Sequence, residues 1–373
     1  MAQFVPTRGG MGKNWHFCPI PPLHDLPARP AIRPAPGRRP GNALAAARVE
    51  LAELKGYSAA MPNPMLLLSP AIIRESVASS EIEDIHTTVE SVLQQELFPE
   101  AERRDADKEV LRYGEAIRWG AEQLATLPLS SRLIVGIQHR LLPHYGPGYR
   151  TTPNQIINSA TGQPVFTPPR AADIPALIGN WEQYVNATSP ETDPLLRCAV
   201  GHYQFEAIHP FGDGNGRTGR ILMVLHLVQE QILTQPTLFV SGYINRHRQD
   251  YYRLLLGVSA EGKWVDFLLF MLRGFQQQAR ATKDTLLAVV EQLQAFKQAV
   301  KNLPKRVPLE LADHVFARPI TTPQQASAAT SLHYKTASRY LAQLAEAGLL
   351  ENKPVKRYQF YLNRPLLEIL NQA

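Results

Sequence analysis

The run HPFGDGNGRTGR, from His209 to Arg220, places four glycines, one histidine, one aspartate and two arginines in twelve residues. Neither a core helix nor a buried strand has that composition. Glycines at 212, 214 and 216 permit positive φ and let the backbone come close to a ligand. Successive amide N–H groups in such a loop form an anion-binding concavity, and a helix beginning just after it adds a partial positive charge. Arg217 and Arg220 lie three apart at the start of that helix and share a face. Their planar guanidinium groups suit phosphate because they donate bidentately. Asp213 offers a hard oxygen ligand for Mg²⁺, an ion usually bound together with phosphate oxygens. The parts add up to a metal–polyphosphate site. Beside it, His209 is a candidate general base, since an ordinary imidazole pKa of about 6.5 lies near working pH.

Other readings of the same run fail on context. GNGRTG (Gly214 to Gly219) matches the dinucleotide-binding G-x-G-x-x-G, but that pattern needs a preceding strand. Here the preceding LLRCAVGHYQFEAI has a helical period. A P-loop is excluded because no Gly-Lys-Ser/Thr follows. A purely structural glycine turn leaves the histidine, the asparagine and two arginines unexplained.

The elements that must hold this loop are mostly helical in pattern. Helical periodicity starts at Asn42 and recurs in DKEVLRYGEAIRWGAEQLA, SSRLIVGIQHRLL, ADIPALIGNWEQYVNA and PLLRCAVGHYQFEAI. It resumes after the loop in TGRILMVLHLVQEQIL and RQDYYRLLLGVS, and in the long segment from Trp264 to Val300. Ser69-Pro70 predicts a helix start, with an N-cap followed by proline at the first helical position. Thr87 and Glu90 are spaced as a capping box. One β signal interrupts the helices: NQIINSATGQPVFTPP, Asn154 to Pro169, predicts a hairpin turning at Ala160-Thr161-Gly162. After KNLPKRVP the order becomes helix, turn near Thr330-Ser331, second amphipathic helix to Gly348, then the strands LLE and YQFYL. That is the order of a winged helix-turn-helix. The expected divisions are a Pro/Arg-rich extended tail over 1–42, a helical region over 43–120, a core over 121–290, and a linker helix with the winged module over 291–373.

Composition agrees with an ordinary globular protein: 44% hydrophobic and 19% charged residues in 373. Cys18 and Cys198 are far apart with no metal-type spacing, which fits a reducing compartment. The most apolar run, ILMVLHLVQEQIL, is broken by polar residues and too short to span a bilayer. The N-terminus lacks the apolar segment of a signal peptide. A cytoplasmic protein without a membrane partner is therefore expected. The net charge of +6 owes part of its excess to the tail ARPAIRPAPGRRPG, a solvated linker or a nucleic-acid contact.

HPFGDGNGRTGR resembles the Fic motif, His-Pro-Phe-x-Asp/Glu-Gly-Asn-Gly-Arg-x-x-Arg, at every defined position. INRHRQDYYRLLLGVSAEGKWVDFLLFML resembles the helices that follow that motif, and the hairpin at 155–167 resembles the flap that clamps a target polypeptide. The resemblance implies a mainly α Fic core with a β-hairpin flap, and transfer of AMP from ATP to a protein Ser, Thr or Tyr hydroxyl, the chain itself included. It implies His209 as the base, Asp213 as the Mg²⁺ ligand, and Gly214, Asn215 and Gly216 as the anion hole. Arg217, Thr218, Gly219, Arg220 and Tyr251 would complete the nucleotide site, Phe211 would pack inward, and Val165 and Phe166 would contact the target. Family members that phosphorylate carry lysine where this chain has Gly216, so the glycine favours the AMP-donating orientation.

SSEIED, Ser79 to Asp84, taken alone reads as a solvated helix end. Beside a Fic core it resembles the inhibitory motif Ser/Thr-x-x-x-Glu-Gly/Asn. Ser79 and Glu83 are four apart on one helix face. The resemblance implies that Glu83 pairs with Arg220 and leaves ATP with a misaligned α-phosphate. Asp84 departs from the pattern, because Gly or Asn enters left-handed geometry more easily; it is the alternative start of the turn toward Thr87.

In the C-terminal module Thr330 or Ser331 is expected to cap the recognition helix. His333, Lys335, Ser338 and Arg339 would face outward, with Lys353, Lys356 and Arg357 at the wing. That pattern fits DNA phosphates, and equally a docking or dimerising module. Expected partners are thus a hydroxyl-bearing protein, DNA, and a second copy of the chain. Two other functions share these residues: a nucleotide-sensing regulator acting through the winged helix, and removal of AMP with Glu83 orienting a water.

Overall fold

The structure, a computed structural model, describes residues 40–60, 65–157, 164–188, 192–355 and 358–372. Most of the Pro/Arg-rich tail, the turn at 160–162, and Lys356 and Arg357 lie outside the described residues. The helices α1 (Pro40–Ala59), α2 (Met65–Ile82), α3 (Val89–Gln95), α4 (Asp105–Gln123) and α5 (Ser131–Leu141) come first. A small hairpin follows, β1 (Ile156–Ile157) with β2 (Pro164–Phe166), antiparallel and with Ile156 opposite Phe166. Then come α6 (Ile174–Val185), α7 (Pro194–Ile208), α8 (Asn215–Gln229), α9 (Val240–Arg246), α10 (Arg248–Glu261) and the 38-residue α11 (Trp264–Lys301). The C-terminal part runs α12 (Leu309–Ala317), β3 (Ile320–Thr321), α13 (Pro323–Thr330), α14 (Tyr334–Glu346), β4 (Glu351–Val355), β5 (Tyr358–Leu362) and α15 (Arg364–Gln372). Its antiparallel sheet has the order β3-β5-β4; β3 has no counterpart in the expected two-strand ribbon, and β4 starts at Glu351, so Leu349 and Leu350 of the expected strand LLE precede it.

α7 and α8 form the centre of the larger core. Leu195, Phe205 and Ile208 on α7, and Ile221, Val224 and Leu225 on α8, are fully buried. Both helices are covered on nearly every side, which is why their sequences show little polar alternation. Asp193 caps α7 by accepting from Leu195 N–H (2.8 Å), with Pro194 in the first turn. A second core joins the C-terminal module to the N-terminal helices: Ile73, Val92, Phe98 and Val110 pack with Leu311, Phe316, Leu341 and Phe360. Phe98 stacks edge-on against Tyr358 and Phe360, and Arg364 binds Glu90 at 2.8 Å. α11 runs through both cores and crosses the expected division at 290 without a break.

Local differences from expectation have local causes. α2 begins at Met65, four residues before Ser69, because Met65–Leu68 are strong helix formers. The N-cap of α3 is Thr88, which accepts from Ser91 N–H, while the Thr87 hydroxyl goes to Asp107 on α4. Neither Thr330 nor Ser331 caps α14. Ser331 closes α13 in left-handed geometry (φ 55°), and His333 caps α14 by accepting from Lys335 N–H. Lys335 and Arg339 are exposed on α14 and Ser338 is half-buried, whereas Lys353 pairs with Glu90 at 3.6 Å.

Candidate active site

α7 ends by turning at His209, which takes left-handed geometry (φ 51°, ψ 60°). Such a conformation is uncommon for a side chain with a Cβ, so neighbours must fix it. Phe211 is fully buried and packs against Tyr149 and Phe205. Asn215 staples the loop, accepting from Phe211 N–H (2.8 Å) and donating to Phe211 C=O (2.9 Å). Gly214 supplies the remaining positive φ (79°) as the N-cap of α8. Arg150, just ahead of the hairpin, clamps the turn. Its guanidinium donates to the carbonyls of His209 (2.9 Å), Thr152 (3.0 Å) and Pro169 (2.6 Å), and its N–H to Pro210 C=O (2.9 Å).

This clamp and the burial around it set the chemistry of His209. Its Nδ1 lies 3.3 Å from Glu206 C=O. A carbonyl only accepts, so Nδ1 carries the proton and the lone pair is on Nε2. Burial pushes the imidazole pKa down to about 4, with the Arg150 charge adding to the shift and the Glu206 carbonyl opposing it. At neutral pH His209 is thus unprotonated and able to accept a proton.

The first turn of α8 leaves the N–H groups of Asn215, Gly216 and Arg217 without intrahelical acceptors. An anion is stabilised there by those donors and by the helix dipole. The Glu83 carboxylate lies against this turn. Its Oε1 accepts from Arg220 Nη2 at 2.7 Å, and a Cβ at Gly216 would overlap that same oxygen. Arg220, only 1% exposed, also donates to the Ser79 hydroxyl (2.8 Å) and carbonyl (2.9 Å). Burial alone would raise the Glu83 pKa, but Arg220, Arg217 and Arg248 outweigh it and hold the carboxyl below its usual range. Arg217 is also buried, paired with Glu109 on α4 at 2.7 Å.

Asp213 stands at the rim, 48% exposed, with Oδ1 accepting from Gly214 N–H and lying 3.6 Å from Arg217. Among the described residues no cluster of three or more His, Cys, Asp or Glu converges on a point. A lone rim carboxylate beside an anion nest fits a magnesium ion that arrives with a polyphosphate and draws its other ligands from phosphate and water.

Other expected site residues sit deeper. Thr218 is fully buried and Gly219 packs against Glu206 and Phe205. Tyr251 is 2% exposed, with its hydroxyl on His202 Nε2 at 2.7 Å. In the hairpin Phe166 turns into the core while Val165 stays half-exposed, as strand alternation requires. Sequence reasoning did not find Arg150, Glu109, Arg248 or Glu206. Glu206 Oε1 has no hydrogen-bond partner among the described residues, and burial raises that carboxyl to about 7. An isolated arginine or glutamate gives no signal of such a role.

Comparison with known families decides the relationship. The Fic/DOC family N-terminal profile matches residues 42–122 and the Fic/DOC family profile matches 128–227. Residues 128–227 thus form a Fic/DOC-family domain. A third profile, the Protein adenylyltransferase SoFic-like C-terminal domain, matches 293–366. The Protein adenylyltransferase Fic of Drosophila virilis is 27% identical over 236 residues, which cover 61% of this chain and 43% of that protein. The chain therefore spans about two fifths of the length of the curated relatives it matches. A crystal structure of a Fic family protein from Desulfovibrio desulfuricans G20 aligns with a TM-score of 0.55 at 22% identity, covering 90% of this chain and 98% of that one. A Fic domain containing signaling protein from Bacteroides thetaiotaomicron VPI-5482 aligns at 0.53 and 17%, covering 65% and 95%. These two likenesses concern the fold.

Proposed function

We propose that this Fic protein transfers AMP from ATP to a hydroxyl of a protein target, and that Glu83 inhibits the transfer. The observation that carries the reading is the neutral His209, with its Nε2 lone pair available, next to an anion nest at the head of α8. A target Ser, Thr or Tyr hydroxyl, its chain lying along the hairpin at Val165, would attack the α-phosphorus. Its oxygen bonds to phosphorus, the bond from that phosphorus to the bridging oxygen breaks, diphosphate leaves, and the hydroxyl proton passes to Nε2 of His209. The N–H groups of the first turn of α8 hold the phosphate oxygens, and Arg217 and Arg220 hold the terminal phosphates. Mg²⁺, held by Asp213, would supply positive charge to offset the leaving diphosphate. A nucleotide sensor needs no base, so the readied imidazole favours the transferase.

The inhibition follows from one guanidinium serving two anions. While Glu83 occupies Arg220, the terminal phosphate cannot, and the carboxylate also repels it. No helix among the described residues is long and apolar enough to cross a membrane. Purified Glu83→Gly protein incubated with α-labelled ATP should label itself or an added protein more than wild type does. Adding His209→Ala should abolish the label. Undiminished labelling in the double variant refutes the role of His209.

A further inference from the structure

The inhibitory carboxylate sits at an unusual helix end. α2 closes with two bonds, Asp84 N–H to Glu81 C=O (3.0 Å) and Ile85 N–H to Ser80 C=O (3.1 Å), and Asp84 between them has φ 61°. This is a Schellman closure, with Glu83 as the last half-helical residue and Asp84 at the left-handed position. Glycine is the usual occupant there, because a Cβ makes left-handed geometry costly. Asp84 occupies it regardless, and its carboxylate is gripped by Arg248 at the head of α10. Nη1 donates to Oδ1 at 2.7 Å and Nη2 to Oδ2 at 3.1 Å. One turn back, Glu81 accepts from Asn245 of α9 at 2.7 Å. Neither contact involves Arg220 or the anion nest.

We infer that Asp84 and Arg248 form a latch that positions Glu83: the bidentate pair fixes the end of α2 and holds the neighbouring carboxylate on Arg220. This rests on the reading of Glu83 as an inhibitor. The fork geometry matters because two parallel bonds set the direction of the chain as well as its distance. Asp84 and Arg248 are 63% and 36% exposed, so the pair is solvent-screened and of modest strength. A partner or counter-ion that competes for Arg248 therefore loosens the inhibitor without entering the nucleotide site.

The test measures self-modification of the full chain with α-labelled ATP in Asp84→Asn, Asp84→Gly, Arg248→Gln and Asp84→Asn/Arg248→Gln, each with and without Glu83→Gly. Asparagine keeps left-handed tolerance and loses the pair, whereas glycine improves the backbone and loses the pair. The latch predicts that all four raise the rate by roughly three- to fivefold, the size of an exposed bidentate pair. The double variant should do no more than either single change. On the Glu83→Gly background the Asp84 variants should change nothing further. A wild-type rate in Asp84→Asn, or a slower rate in Asp84→Gly, overturns the latch while Glu83→Gly remains activated. If Glu83→Gly itself matches wild type, the inhibitory reading falls and the latch with it.

Discussion

Replacing Glu83 with alanine removes one of the three acceptors of a guanidinium that is 1% exposed. A hydrogen bond between charged groups contributes roughly 1.5–3 kcal/mol to stability. The Glu83 side chain is 34% exposed, so screening places the loss at the low end, about 1.5 kcal/mol. The ligand-free protein should then melt about 2–4 °C lower. On the proposed competition of Glu83 and a terminal phosphate for one donor, the vacated guanidinium should bind that phosphate about tenfold more tightly. Calorimetric titration with a non-hydrolysable ATP analogue and with AMP measures this directly. Tightening is expected for the analogue and not for AMP, which has no phosphate to place on Arg220. Equal gains for both ligands, or no gain for the analogue, would refute the competition.

Gly216→Ala places a Cβ against Glu83 Oε1 and 2.9 Å from Arg220 Nη1, so the Glu83–Arg220 pair must shift. Melting should fall as in Glu83→Ala, and the double variant should lose no more than the single ones. Full additivity contradicts the overlap. His209, lowered to about 4, stays neutral across the physiological range. With a depressed folded pKa, its contribution to stability is complete above its ordinary value of about 6.5 and fades as pH falls toward 4. kcat/KM of Glu83→Gly should therefore be flat from about pH 8 to 6, and a break at the ordinary imidazole pKa would count against the assigned burial and tautomer. Removing Glu83 lowers that pKa further, since the carboxylate is one of the groups raising it. Arg150→Lys cannot reproduce a fork that serves the carbonyls of His209, Thr152 and Pro169. Single-turnover transfer should drop by about 10²-fold from misplacement of the base, with the circular dichroism spectrum unchanged. A drop confined to KM would place Arg150 in binding instead.

The catalytic loop was legible in the sequence because its demands are local. A left-handed Gly214 and an inward Phe211 follow from a short motif, whereas Asn215, expected in the anion hole, turns its side chain to the Phe211 backbone. The pairing of Glu83 with Arg220 spans 137 residues and was legible only through resemblance to a family; the bonds of Arg220 to Ser79 were not. The helix periods located most elements, yet α9 carried no clear signal and the caps of α3 and α14 shifted by a residue or more. Caps are decided by tertiary partners: Thr87 is drawn away to Asp107, and the cap position passes to Thr88. Arg150 and Arg248 escaped for a similar reason. Each acts on backbone or side chains brought near by folding, and a single arginine has no period or spacing to reveal it. Asp84 departs from the motif in sequence. In the structure it takes the left-handed position and is gripped by an arginine.

The proposed chemistry is tested most directly by following both ends of ATP in one reaction. Glu83→Gly protein is incubated with ATP labelled at the α-phosphorus and, separately, at the γ-phosphorus, and the polypeptide is then separated from small molecules. AMP transfer predicts α-label bound to protein, γ-label recovered entirely in diphosphate, and no bound label with His209→Ala. Label from the γ-phosphorus on the polypeptide would contradict it.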